Sequence, residues 1–322
     1  MLIPALLFIV GLVLLIKGGD WFVDGATGLA RRFRIPEIIV GATVVSIGTT
    51  LPEVMVSATG ALAGQGAMAY GNAIGSIICN TSLIAAITLA IRPAPVNTKA
   101  LKMPVLFFFG AAALYCGMAY VSGYFSRVLG FILLAIFAVY MIITVRQGFK
   151  NPTPADTEEE AEAEPRKLWL EIVLLVLGAA VIAVGADLLV DNGTIIAREL
   201  GVPESVIALT FVALGTSLPE LVTAITSLVK GHGSLSLGNI IGANLFNLVL
   251  VSGVSVALAP FEIPSASQFL GHNASLVLDI PVMLSVMLLM TVPAFVSKKL
   301  SRWQGIVLLA IYASYCVLQF TM

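Results

Sequence analysis

Two hexapeptides, Gly48-Thr49-Thr50-Leu51-Pro52-Glu53 and Gly215-Thr216-Ser217-Leu218-Pro219-Glu220, place a carboxylate directly after a proline inside long apolar runs. Proline has no N–H and its ring crowds the carbonyl four residues earlier, so a helix through Pro52 must bend or break near Gly48 to Pro52. Backbone oxygens are thereby freed. Thr49 lies four residues before Glu53, on the same helical face. A carboxylate, hydroxyls and loosened carbonyls together form the hard oxygen set that Ca2+ and Na+ require. Two glutamates match the charge of one divalent cation. An isolated buried charge costs at least ~3 kcal/mol on insertion scales, so cations or protons must neutralise the pair at some stage.

A Pro-Glu pair can also be a plain kink beside a satisfied packing glutamate, but two copies at mid-span in matched positions argue against that reading. A second polar pattern follows each hexapeptide. Gly71-Asn72-Ala73-Ile74-Gly75-Ser76 runs on to Asn80, and Gly238-Asn239-Ile240-Ile241-Gly242-Ala243 runs on to Asn247. The glycines form small-xxx-small pairs that permit close helix approach. They do not account for Asn72, Ser76 and Asn80 along one face at i,i+4 spacing, repeated as Asn239, Ala243 and Asn247, unless that face lines something polar. Asp20/Asp24 and Asp187/Asp191 lie nearer span ends, where pairing with Lys17 or solvent is open to them, and read as structural or gating residues.

These elements sit in a chain of 322 residues, 59% hydrophobic and 11% charged, with mean hydropathy +1.02. That is the composition of an all-α polytopic membrane protein. Ten stretches are long enough to cross a bilayer, which needs roughly 20 residues each: 2 to 30, 36 to 62, 67 to 91, 103 to 121, 125 to 146, 168 to 197, 203 to 229, 235 to 258, 277 to 297 and 303 to 320. The N-terminus lacks a basic leader, so its first segment reads as a retained span. Cys79, Cys116 and Cys316 fall within spans without metal-ligand spacing. His232 and His272 lie in or near loops and support neither a metal centre nor a catalytic dyad. Net charge is -1, which argues against a nucleic-acid partner. No hydrolytic motif stands out, so no catalytic residue and no cofactor is expected.

Numbering ten spans in order puts 14 of the 17 basic residues in loops on one side, with Arg127 and Arg198 on the other and Lys17 inside the first span. The positive-inside rule then places both termini outside and the central loop in the cytoplasm of a cell or inner membrane protein. That loop, residues 147 to 167, carries six acidic residues and three prolines and reads as a solvated acidic connector, with cation collection as the sharper alternative. It separates a first half, 1 to 146, from a second, 168 to 322. At an offset of 167, residues 17 to 80 and 184 to 247 are identical at 24 of 64 positions without a gap. Each half has five spans, so the second copy enters the membrane inverted. Inverted repeats with broken helices, here the second and seventh, are a signature of secondary transporters that expose a midplane site alternately to each side.

At these residues the sequence resembles the cation/calcium exchanger superfamily, specifically the microbial sodium/calcium exchangers. GTTLPE with GNAIGSIICN and GTSLPE with GNIIGANLFN are similar to that family's two alpha-repeat motifs, over essentially the whole chain. The resemblance implies a Na+/Ca2+ antiporter that extrudes Ca2+ and works as a monomer. It implies calcium ligation by Glu53 and Glu220, helped by the carbonyls of Thr49 and Thr216. It implies sodium sites, sharing those glutamates, from Thr50, Ser217, Ser76, Asn80, Asn247 and the carbonyls of Ser46 and Ala213. Three positions depart from the family pattern. Thr50 stands where serine is usual, Ala243 lacks the hydroxyl of its mate Ser76, and Asn247 is neutral where several relatives have aspartate. The second departure puts one sodium site in doubt, and the third weakens the case for potassium co-transport. Within transport the alternative is Ca2+/H+ exchange, against which stand the hydroxyls beside each Pro-Glu. A passive cation channel has no need of two inverted half-sites, and an intramembrane aspartyl protease needs paired aspartates rather than glutamates flanked by prolines.

Overall fold

The computed structural model describes residues 2–150, 167–201 and 215–321. Its helices follow the hydrophobic runs: α1 (Leu2–Phe33), α2 (Glu37–Leu62), α3 (Gly66–Ile91), α4 (Thr98–Ser122), α5 (Arg127–Lys150), α6 (Leu168–Glu199), α7 (Leu218–Val229), α8 (Gly233–Leu258), α9 (Ser275–Ser297) and α10 (Arg302–Thr321). Eight of these described helices, all but α7 and α10, are long and apolar enough to cross a membrane. Most of the acidic linker and the start of the seventh expected span lie outside the described residues. Two-residue strand pairs, such as Tyr124↔Glu262 and Phe125↔Phe261, tie some of the connecting segments.

The chain packs as two compact units, neither of which coincides with a sequence half. One comprises residues 1–49 and 143–239, the other residues 50–142 and 240–322. In the first unit, α1 and α6 run antiparallel with their backbones in near contact. A Cβ added to Gly18 would lie 2.8 Å from Ile182 N, one on Gly25 2.6 Å from Leu175 N, and one on Gly178 2.5 Å from Phe22 N. Small residues permit this approach where interdigitating side chains would hold the helices apart. Leu15, Phe22, Val23, Ala26 and Ala30 of α1 form the core here with Val45, Ile182 and Leu235, and Leu218 and Val222 of α7 pack on it. Leu2, Ile3, Leu6, Ile9 and Val13 on the outer side of α1 stay exposed, as lipid-facing residues should.

In the second unit, Tyr70, Phe125 and Tyr115 stack, with ring centroids 6.4 and 4.5 Å apart. Phe246 of α8 meets Phe137 and Tyr140 of α5 edge-on. Gly130 and Gly305 permit close approach to the backbones of α8 and α3 respectively.

The interruption of α2 falls elsewhere than the sequence places it. The helix continues through Pro52, and the departure from α geometry is a π turn at Gly41–Val45, where the Ser46 N–H bonds to Gly41 O. A proline removes one hydrogen bond, which surrounding groups can absorb. At Gly41 the chain lies against the backbone of α8, where a Cβ would collide with Leu235 O, and the helix widens there. In α7 the proline does mark a boundary. Thr216 and Ser217 form a turn, Ser217 precedes the helix, and Pro219 lies in its first turn, where a missing N–H costs nothing. Further π turns occur at Asn80–Ala85, Asn247–Val251 and Ser275–Asp279. The first two begin on repeat-related asparagines. π turns of this kind concentrate at functional sites.

Replacing Gly18 by leucine drives a branched side chain into the α6 backbone. Overpacking costs about 1–3 kcal/mol even where side chains can yield, so the variant should melt clearly below the wild type, with Gly71→Leu as control because no described residue lies within 4 Å of a Cβ there. Fluorescence-detected thermal unfolding in detergent measures the difference.

Candidate functional site

The carboxylates of the two hexapeptides are fully buried, Glu53 and Glu220 each at 0% exposure. They lie in different units, so each neighbourhood is described separately.

In the unit of residues 1–49 and 143–239, the start of the first motif meets the first turns of α8. The Ser46 hydroxyl lies 2.8 Å from Gly41 O and 3.0 Å from Asn239 O. The Thr49 hydroxyl donates to Asn239 Oδ1 at 3.3 Å. Gly238 makes this contact possible, because any Cβ there would strike the backbone at Ile38. Asn239 is therefore a fully buried hub whose backbone and side-chain carbonyls lie within hydrogen-bonding distance of the hydroxyls of Ser46 and Thr49. Glu220 sits in the first turn of α7, where the helix dipole favours negative charge. The Ser217 hydroxyl beside it is buried and has no hydrogen-bond partner among the described residues. Thr216 lies in the turn just before. Ala213 lies outside the described residues.

In the unit of residues 50–142 and 240–322, Thr50, Glu53, Ser76, Asn80 and Asn247 are all buried. Asn72 of α3 reaches α2 through its Nδ2, 2.7 Å from Ser57 Oγ and 3.2 Å from Glu53 O. It thereby clamps α2 one turn beyond the proline. Asn80 and Asn247 each open a π turn, and the π segment at Asn247 packs against α3. The Ser252 N–H and hydroxyl both bond to Asn247 O, the hydroxyl at 3.1 Å, as the Ser46 N–H and hydroxyl do to Gly41 O. Neither side-chain polar atom of Asn80 or Asn247, nor the Thr50 hydroxyl, has a partner among the described residues. Buried groups left so cost about 1–3 kcal/mol each, and their surroundings must reward them.

Three features escaped the sequence reading. Asn239 serves as an acceptor hub, which the Asn72/Asn239 pairing only hinted at. Asp20 and Asp24 pair with Lys230, at 3.4 and 2.7 Å, rather than with Lys17 or solvent, because the loop after α7 folds back beside α1. His232 in the same loop lies 2.7 Å from Glu37 Oε1. Beyond these, Asn244, which aligns with the apolar Ile77, donates to Thr81 Oγ1 at 2.7 Å. Ala243 is fully buried and offers no donor or acceptor from its side chain.

Ten helices, inverted halves and buried carboxylates amid oxygen donors define a secondary transporter rather than an enzyme. Residues 3–146 and 170–321 match the family described as sodium/calcium exchanger protein, and the chain belongs to that family. It is 30% identical to the sodium/calcium exchanger MaX1 of Methanosarcina acetivorans over 98% of both chains. It is 38% identical to the inner membrane protein YrbG of Escherichia coli over 87% of both. Its fold superimposes on the sodium-calcium exchanger NCX_Mj soaked with 2.5 mM Na+ and 0.1 mM Sr2+ at a TM-score of 0.79, with 33% identity over 97% of each chain.

Asn72→Ala should lower stability by about 1–3 kcal/mol, the cost of losing a partly buried donor and stranding the fully buried Ser57 hydroxyl. Ser57→Ala should cost less by itself, and the double variant should cost less than the sum of the two. A double-mutant cycle read by thermal unfolding tests this coupling.

Proposed function

We propose that the chain is an antiporter that moves Ca2+ out of the cell against Na+ entering. Its basic loops would face the cytoplasm and both termini the outside of a cell or inner membrane. The observation that carries this reading is a set of buried oxygen groups unpartnered among the described residues, Thr50, Ser217, Asn80 and Asn247, beside fully buried glutamates in both repeats. Hard oxygen donors in this number suit Na+ and Ca2+.

In this reading Glu53 and Glu220 hold Ca2+ together with the carbonyls of Thr49 and Thr216. Na+ occupies surrounding positions built from the same glutamates with Thr50, Ser217, Ser76, Asn80, Asn247 and the carbonyls of Ser46 and Ala213. Sharing the carboxylates makes occupancy by the two ions exclusive. An empty pair of buried carboxylates is electrostatically costly, so only a loaded site changes sides, and flux of one ion is tied to counterflux of the other. Support comes from the contact of the Ser46 and Thr49 hydroxyls with Asn239, which brings the polar pattern of the second repeat to the start of the first motif. The relatives MaX1 and NCX_Mj are named as sodium/calcium exchangers. Asn247 brings no third carboxylate, so potassium is not required. One chain carries both half-sites, so a monomer suffices.

Sodium-loaded proteoliposomes should accumulate radioactive calcium, and uptake should collapse when the sodium gradient is removed or when Glu53 or Glu220 is changed to glutamine. Uptake that persists in Glu53→Gln, or that follows a pH gradient with no sodium present, would sink the proposal.

A further inference from the structure

Beyond Glu220, the buried polar stripe of α7 runs on past the exchanger motif. Ser217, Glu220, Thr223 and Ser227 recur at helical spacing and therefore share one face. All four are buried, and the hydroxyls of Ser217, Thr223 and Ser227 have no hydrogen-bond partner among the described residues. This face is distinct from the one that packs on α1. That contact is made by Leu218, Val222 and Thr226, with Val222 Cγ1 and Thr226 Oγ1 within 2.8 Å of a Cβ placed on Gly19.

A hydroxyl in a membrane helix has an easy remedy for burial, which is to donate to a carbonyl one turn back. Thr27, Thr43, Ser82, Thr88, Ser255 and Thr291 all do so. Thr223 and Ser227 do not, although the same carbonyls lie one turn before them in their own helix. The first repeat has nothing equivalent. Val56 and Gly60 stand at the matching positions, and Ser57 on the neighbouring position is engaged by Asn72. The polar stripe is thus a property of one half only, and it points from Glu220 towards the membrane face that carries Lys230, where Asp20 and Asp24 concentrate negative charge.

We infer that the Thr223–Ser227 face of α7 is the wall along which a partly dehydrated Na+ or Ca2+ passes between Glu220 and the side of the membrane bearing the basic loops. The hydroxyl oxygens replace part of the ion's hydration shell over the turns that separate the carboxylate from the loop. The Lys230 ammonium, held between Asp20 and Asp24, sits at the outer end, where an arriving cation competes with it for the same carboxylates. The inference rests on the reading of Glu220 as an ion ligand.

The test introduces Ser227→Cys into a chain whose Cys79, Cys116 and Cys316 are replaced by alanine, reconstituted in vesicles of known orientation. A charged, impermeant thiol reagent should modify Cys at this position under turnover conditions roughly tenfold faster from the basic-loop side than from the other, since thiol reactivity follows access. Millimolar Ca2+ or Na+ should slow that reaction. In parallel, Thr223→Val should lower turnover roughly tenfold, equivalent to about 1.4 kcal/mol in the barrier, and Thr223→Ser should restore it. Modification only from the opposite side, from neither side, or at a rate that neither ion changes would overturn the inference, as would wild-type turnover in both Thr223→Val and Ser227→Ala. Labelling does not depend on calcium being the cargo. Sided, ion-slowed modification of the Ser227→Cys chain, together with a wild-type protein that shows no sodium-driven calcium flux, would therefore refute the proposed exchange and leave the pathway standing.

Discussion

The structure depends on one constraint: a carboxylate at bilayer depth must have its charge answered, and every backbone group freed near it must find a partner. Glu53 and Glu220 are both fully buried, so the answer has to come from other groups in the protein or from an ion. Oxygen donors crowd the same segments of sequence, and most of them are acceptors or amphoteric hydroxyls rather than fixed cations. Of the two cationic side chains nearest in chain order to α7, Arg198 lies in the last turn of α6 and Lys230 just past the end of α7. Lys230 is engaged by Asp20 and Asp24.

Supplying such donors without leaving the fold full of unsatisfied groups requires a division of labour. Glycines handle approach. Gly18, Gly25 and Gly178 bring α1 and α6 backbone to backbone, and Gly41 and Gly238 do the same for α2 and α8. Hydroxyls handle repair. Many Ser and Thr side chains in the helices bond a carbonyl of their own helix, which lowers the cost of burying them. Asparagines handle register, with Asn72 fixing α2 beyond Pro52 and Asn239 fixing it before. Several of the buried polar atoms outside these duties, at Thr50, Asn80, Ser217 and Asn247, fall on the residues that the repeat pattern marks as ion ligands.

Much of this was legible in the amino-acid order. Hydropathy located the helices to within a few residues, because each needs an uninterrupted apolar run and each loop is polar. The paired motifs identified the family, because matched Asn, Pro and Glu positions are not explained by hydrophobicity. The position of the irregularity in α2 was not legible. Pro52 is a local signal and drew the expected break to itself, whereas the π turn at Gly41–Val45 answers a contact with residues almost two hundred positions away. Asn239 was visible as half of a repeated pair, but no spacing rule states which hydroxyls an amide will meet. Lys230 was assigned to a loop, and its partners in α1 depend on how that loop folds back. Thr223 and Ser227 were passed over because the copy-to-copy comparison favours what the halves share, and these hydroxyls are what they do not share.

The π turn in α2 also carries a meaning for the geometry of the helix itself. Each such turn accommodates one residue more than regular α winding would, and one residue corresponds to about 100° of rotation about the axis. The side chains after Val45 are therefore dialled round relative to those before Gly41. With plain α winding the same sequence would direct Glu53 to another side of its helix. The azimuth of the carboxylate is set about three turns away, by a widened turn that begins on a glycine without a side chain.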